Sequence, residues 1–325
     1  MERVAVIGLG NIATRHRRNI KQLFPHAQLY VMSASGRMPH ETVSDADHLV
    51  ESVDALIVQQ VQLVIVASPA PFHAAHAIPL IEAGIAVLIE KPVTATLDEL
   101  KALQEAAARS PTPVAVGYCL RYLSSAIEIK KYLSSGMLGN VYHANVEIGQ
   151  YLPDWRPRKD YHESVSARAA LGGGALLELS HEFDYTQWLL GELTLQHAIL
   201  RQSEELGLEV EDSADILLST EQNAVVHLHL DFLQRKAYRQ CRFVGSQGAL
   251  EWDLISNEIC FVCAQGTQVL YSEPTWDKNQ MYTAMVLDFV AHIHGQPSQC
   301  VSLDDAAKSL ELIAQIKTRY PIKAS

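Results

Sequence analysis

The chain has 325 residues, 48% hydrophobic and 19% charged, with a net charge of −11. This is the composition of an ordinary globular protein, long enough for two domains or one large α/β domain. No Lys/Arg block stands out, which argues against nucleic-acid and membrane-surface partners, since phosphate binding needs a concentrated basic patch.

The N-terminus, MERVAVIGLG, enters a strand pattern directly, and no uninterrupted apolar run approaches the ~18 residues of a membrane span. A cytoplasmic protein is expected. Residues 3–7 (RVAVI) form a short apolar run ending in Gly8-Leu9-Gly10-Asn11-Ile12-Ala13, and a polar, basic helix start follows. This is the GxGxxA form of the dinucleotide fingerprint. Gly8 permits the tight turn, Gly10 lets the backbone approach a pyrophosphate, and Ala13 keeps helix and strand close. Asn11 and Ile12 supply N–H groups at the helix start. The fingerprint gains weight from its place between strand and helix.

The next strand, AQLYVMSASGR, ends where a ribose-reading residue is expected. An NAD site usually shows Asp or Glu there. This chain offers Ser33, Ser35 and Arg37, a set suited to a 2′-phosphate, so NADP is the preferred cofactor and NAD the alternative. Arg37 also reads as a solvated loop residue. Leu63–Ala67 is a further buried strand ending at Ser68 and Pro69, followed by a helix over about 73–83. His73 and His76 lie three apart at its start. With no third ligand in view, they read as structural or cofactor-edge residues, and no metal is expected. Residues 85–89 lead into Glu90-Lys91-Pro92, which closes the cofactor crevice at a strand's C-terminal end.

These segments, with GYCLRY, GMLGNVY and GGGALLELSHEFD further on, resemble the glucose-fructose oxidoreductase / inositol dehydrogenase / rhizopine catabolism family (Gfo/Idh/MocA) along essentially the whole chain. The resemblance implies an α/β protein with an N-terminal Rossmann domain and a C-terminal α/β domain. The latter has a large, mostly antiparallel open sheet that serves oligomerisation. A domain boundary at 118/119 follows: 1–118 for the dinucleotide, 119–325 for substrate and for a homodimer or homotetramer.

From Val141 onward, VYHANVEIGQY, ADILLST, AVVHLHLDF, RQCRFVG, GALEWD, EICFVCA and TQVLY read as antiparallel strands. His227 and His229 share a strand face, where such pairs pack or line an interface. Cys260 and Cys263 form a CxxC without the second pair that zinc needs, and read as buried structural thiols. Helices are expected over about 279–294 and 303–319. The loop LPDWRPRKDYHESVSARAALGGG concentrates Arg156, Arg158 and Lys159, suggesting an anionic substrate feature or simply a solvated loop. Trp155 and Tyr161 offer flat faces to a sugar or a base.

In Gly172–Gly191, a single continuous helix would set His181 between Glu178 and Asp184, with Tyr185 one turn beyond and Leu176, Leu179, Phe183 and Leu190 on another side. The glycines would let the chain approach cofactor or substrate. By resemblance, Lys91 is the family's active-site lysine, held by Glu90, and His181 its catalytic histidine. Many relatives carry Asp four residues before that histidine. Here Leu177 stands there and Glu178 is only three before, so Glu178 and Asp184 both remain candidates for its partner. Arg121, Trp155, Arg156, Arg158, Tyr161 and Tyr185 are candidate substrate contacts. The expected activity is hydride transfer between a nicotinamide and a carbohydrate hydroxyl or ketone, including acidic or nucleotide-linked sugars. The alternatives are a non-catalytic sensor and a reductase of a non-sugar acceptor.

Overall fold

In the computed structural model the described residues are 1–155, 157 and 160–322. The chain forms two compact units, Met1–Cys119 with Tyr282–Leu310, and Leu120–Met281 with Glu311–Ser325.

In the first unit, β1 (Arg3–Ile7), β2 (Gln28–Met32), β3 (His48–Val50), β4 (Leu63–Val66), β5 (Ala86–Ile89) and β6 (Val114–Val116) build a parallel sheet in the order β3-β2-β1-β4-β5-β6. Between them run α1 (Asn11–Leu23), α2 (Val53–Val58), α3 (His73–Glu82) and α4 (Leu97–Ala108). β1, β4 and β5 are apolar almost without alternation because both sheet faces are covered, and their residues are buried throughout apart from Arg3. α4 starts with a reciprocal cap. The Thr96 hydroxyl accepts from the Glu99 N–H, and the Glu99 carboxylate accepts from the Thr96 N–H. The strand order reverses between β1 and β4, and the C-terminal ends there make the crevice where such sheets bind nucleotides. This is the expected Rossmann arrangement.

The second unit contains α5 (Ser124–Ser134), β7 (Val141–Gly149), α6 (Ala175–Glu178), α7 (His181–Leu190), β8 (Leu193–Arg201), β9 (Ser213–Thr220), β10 (Val225–Asp231), β11 (Tyr238–Gly245), β12 (Gly248–Asp253), β13 (Glu258–Cys263) and β14 (Gly266–Ser272). Its sheet runs β14-β13-β12-β11-β7-β10-β9-β8, antiparallel except where β10 pairs with β7. β8 is hidden in the sequence because a register shift between Leu195 and His197 breaks its alternation. One sheet face is apolar: Ala144, Val146, Val226, Leu228, Leu230 and Phe243 are buried. The Trp252 indole donates to the Ser125 hydroxyl and so pins α5 to the sheet. The opposite face carries His229, Asp215 and Glu147 beside exposed Ile199, Leu217 and Val225. Cys260 and Cys263 on β13 are half-exposed rather than buried.

The chain closes with α8 (Gln280–Ile293) and α9 (Leu303–Arg319). Val301, between them, bonds through its carbonyl to the Val116 N–H, so the C-terminal segment extends the first sheet's surroundings. No helix among the described residues is long and apolar enough to cross a membrane.

Candidate active site

In the first unit, β1 delivers the chain to Gly8, where φ is 123° and a Cβ would lie 2.4 Å from the Ala67 carbonyl oxygen. Only glycine makes this turn. Gly10 begins α1 with no side-chain cap, a Cβ there would meet nothing within 4 Å, and Gly10 and Asn11 are exposed. The first N–H groups of α1, with the helix dipole behind them, can therefore receive a pyrophosphate. Ala13 is fully buried and Ile12 half-buried. Arg17, which the fingerprint does not mark, braces this turn from below. Its guanidinium donates to the Ser44 carbonyl at 2.8 Å, the Thr14 hydroxyl at 2.9 Å and the Gly8 carbonyl at 3.4 Å. Burial lowers its pKa.

Beyond β2, Ser33, Ser35 and Arg37 share one tight turn. The Ser33 hydroxyl donates to the Arg37 carbonyl at 2.7 Å, and the Arg37 side chain is exposed. After β4, the Ser68 hydroxyl lies 3.0 Å from His76 Nδ1. Burial first, and the neighbouring His73 second, push His76 down to about 4, so it is neutral at pH 7. His73 is 1% exposed, with Nε2 at 2.7 Å from the Ser68 carbonyl and Nδ1 at 3.0 Å from that of Pro92. It clasps the loop after β4 to the loop after β5. Pro69 opens the short helical turn between Ser68 and His73.

Glu90 and Pro92 are buried and Lys91 is half-exposed. Glu90 Oε1 lies 2.6 Å from His16 Nε2, while Oε2 accepts the Lys91 N–H at 3.2 Å. The Glu90 carboxylate thus braces the Lys91 peptide from within.

In the second unit, Gly172–Gly191 is not one helix. α6 ends at Glu178, Leu179 takes φ −98° and ψ 30°, and α7 starts afresh at His181. The phase between Glu178 and His181 is therefore reset. Glu178 is half-buried and accepts from the Ser166 hydroxyl at 3.2 Å. The glycines answer to the protein's own chain: a Cβ on Gly173 would lie 2.6 Å from the Val165 carbonyl oxygen, and one on Gly174 2.4 Å from Glu211 Oε1.

His181 is half-buried in the first turn of α7. Asp184, 1% exposed on its side chain, is gripped by Arg121 in a two-pronged pair of 2.9 and 2.7 Å. Arg121 and Asp184, expected at the substrate and at the imidazole, thus engage each other. Glu182, unremarked in the sequence, is fully buried and accepts from Arg239 at 2.7 Å and from the Tyr185 hydroxyl at 3.2 Å. Burial raises its pKa, against the pull of Arg239. Tyr185 is a core residue rather than a substrate contact. It packs edge-on to Trp252 with Cys241 Sγ 3.4 Å from its hydroxyl, and burial pushes that thiol up to about 12. The Trp155 indole donates to the Gln150 carbonyl, and the Tyr161 hydroxyl donates to that of Leu206. Arg156, Arg158 and Lys159 lie outside the described residues.

Residues 2–118 match the family model described as "Oxidoreductase family, NAD-binding Rossmann fold", and residues 126–251 match the GFO/IDH/MocA C-terminal domain. The chain belongs to the Gfo/Idh/MocA oxidoreductase family. Among Gfo/Idh/MocA relatives, inositol 2-dehydrogenase 3 of Saccharopolyspora erythraea is 26% identical over 262 residues, which span 76% of this chain and 72% of that one. The scyllo-inositol 2-dehydrogenase (NADP(+)) of Bacillus subtilis is 33% identical over 132 residues, 40% of this chain and 35% of that one. The fold is shared with levoglucosan dehydrogenase in complex with NADH, at a TM-score of 0.83 and 20% identity, covering 98% of this chain and 96% of that one. Membership makes this chain an NAD-binding oxidoreductase.

Proposed function

We propose that this protein oxidises a secondary hydroxyl of a cyclic sugar or polyol, or reduces the corresponding ketone, with NADP(H) in preference to NAD(H). The observation that carries the reading is an open helix start at Gly10–Ile12 together with a lysine turn at the end of β5 that is braced on the same helix through His16 and Glu90. The nicotinamide, when bound, accepts or returns the hydride. Lys91 hydrogen-bonds the reacting oxygen and stabilises charge developing on it. His181 takes the hydroxyl proton in oxidation and returns it in reduction, a task suited to imidazole. Asp184, gripped by Arg121, and Glu178, bonded to Ser166, flank the His181 segment and are the two candidates to orient its ring. Arg37, Ser33 and Ser35 receive the 2′-phosphate, and Trp155 and Tyr161 offer ring faces to the sugar. The names of the inositol and levoglucosan dehydrogenases support a compact, uncharged ring as substrate.

The apolar side chains Ile199, Leu217 and Val225 on the uncovered sheet face support assembly of like chains through that face. The absence of any disulfide among the described cysteines accords with a reducing, cytoplasmic compartment. The reading is tested by measuring reduced-nicotinamide formation on a panel of inositols, anhydrosugars, free sugars and sugar nucleotides with each cofactor. NADP-dependent turnover of a polyol or sugar is expected. Tight cofactor binding without turnover on any of them overturns the assignment.

A further inference from the structure

The residue that reaches Lys91 from the cofactor helix is one that neither the glycine fingerprint nor the EKP motif marks. His16 lies on α1, is fully buried, and holds Glu90 Oε1 at 2.6 Å. The other oxygen of the same carboxylate accepts the main-chain N–H of Lys91 at 3.2 Å. Glu90 is thus a two-ended bridge from the helix whose first turn suits a pyrophosphate to the peptide that presents the lysine. The bridge is closely walled. A Cβ at Gly117 would lie 3.2 Å from Glu90 Cδ, and Tyr282 sets its ring at right angles to His16, 6.2 Å between centroids. Arg15 in turn covers Tyr282 at 4.4 Å.

Stability alone does not call for such a pair. α1 is already seated on the sheet by buried Ala13 and Ile20, and a buried imidazole–carboxylate contact pays a desolvation cost that a matched apolar pair would avoid. What the polar pair adds is direction. A short bond to one oxygen fixes the carboxylate plane, and with it the position of the Lys91 N–H on the other oxygen.

We propose that His16 is a positioning residue for Lys91, acting through Glu90 and so linking the seating of the dinucleotide on α1 to the placement of the amine. The proposal rests on the role given to Lys91 above. Its test compares wild type with His16→Leu and His16→Gln, the latter able to donate from nearly the same point as Nε2. His16→Asn, polar but too short to reach Glu90, serves as the loss variant if leucine disturbs folding. The readouts are NADPH and NADH affinity by fluorescence, exchange of the Lys91 amide hydrogen with and without cofactor, and kcat against KM. In the loss variant, exchange of the Lys91 amide and the fall in kcat are each expected to change about tenfold, with cofactor affinity within about threefold of wild type. His16→Gln recovers most of both. Unchanged amide exchange and kcat in a folded loss variant overturn the proposal, as does an equal kcat loss in His16→Gln. If wild type binds neither cofactor, the function proposed above fails. The amide exchange of the unliganded variants still decides for or against His16.

Discussion

The two units reach chemistry by different means. Around Gly8–Ala13 the first unit offers main-chain N–H groups and one exposed helix start, and its buried acid, Glu90, is held by a histidine and a peptide. Around His181 the second unit buries two carboxylates, Glu182 and Asp184, and sets an arginine against each. A backbone-built site is insensitive to side-chain identity except where a Cβ would intrude. A site framed by buried ion pairs depends on every partner, because removing one leaves a charge with neither water nor counter-ion.

That contrast can be broken most severely at the reacting lysine. Lys91→Met is expected to lower kcat by about 10²- to 10⁴-fold while cofactor affinity, measured by fluorescence, stays within a few-fold. Turnover that survived would remove the lysine from the chemistry. Next is the side-chain frame. Arg121→Leu should cost about 3–5 kcal/mol of unfolding free energy in denaturant titrations, because Asp184 loses its bidentate partner in a buried site. A loss under about 1 kcal/mol would mean that the pair is solvent-screened.

The glycines sharpen the backbone side. Gly8→Ala, with φ of 123° and a carbonyl oxygen in its way, should abolish cofactor binding and lower the melting temperature. Gly10→Ala, with φ −71° and open space, should leave the melting temperature nearly unchanged and weaken cofactor affinity alone. Equal melting temperatures for both variants would refute the distinction.

A smaller effect is expected on the uncovered sheet face. His229 donates from Nδ1 toward Asp215 at 2.7 Å and from Nε2 toward Asp231 at 2.9 Å, and its hydrogen bond to Asp231 leads the causes that raise it to about 9. A raised histidine adds stability that is complete below its unfolded value near 6.5 and lost as pH climbs through the folded value. Stability should therefore decline between about pH 6.5 and 9, by about 1–3 kcal/mol, and His229→Gln should flatten that slope in pH-dependent denaturation.

The first unit was largely legible in the sequence because its signals are local. An apolar run, two glycines and a helix start fix the turn within a dozen residues. The second unit's site was not, because its determinants are distant. Asp184 meets Arg121 from 63 residues away, and the glycines before α6 pack on Val165–Arg168 and on Glu211, while the helix breaks at Leu179. Periodicity alone extends a helix through such a break. His16 was missed for the same reason: its partner is 74 residues on, and nothing in its own neighbourhood marks it.

The central claim is that Lys91 and His181 serve hydride transfer on a sugar or polyol. It is tested most directly by single-turnover reduction of bound NADP⁺ or NAD⁺ by the best substrate of the panel, in wild type, Lys91→Met and His181→Asn. Hydride transfer is expected in wild type and should slow at least about a hundredfold in each variant, with cofactor binding retained. Equal single-turnover rates in all three proteins would contradict it.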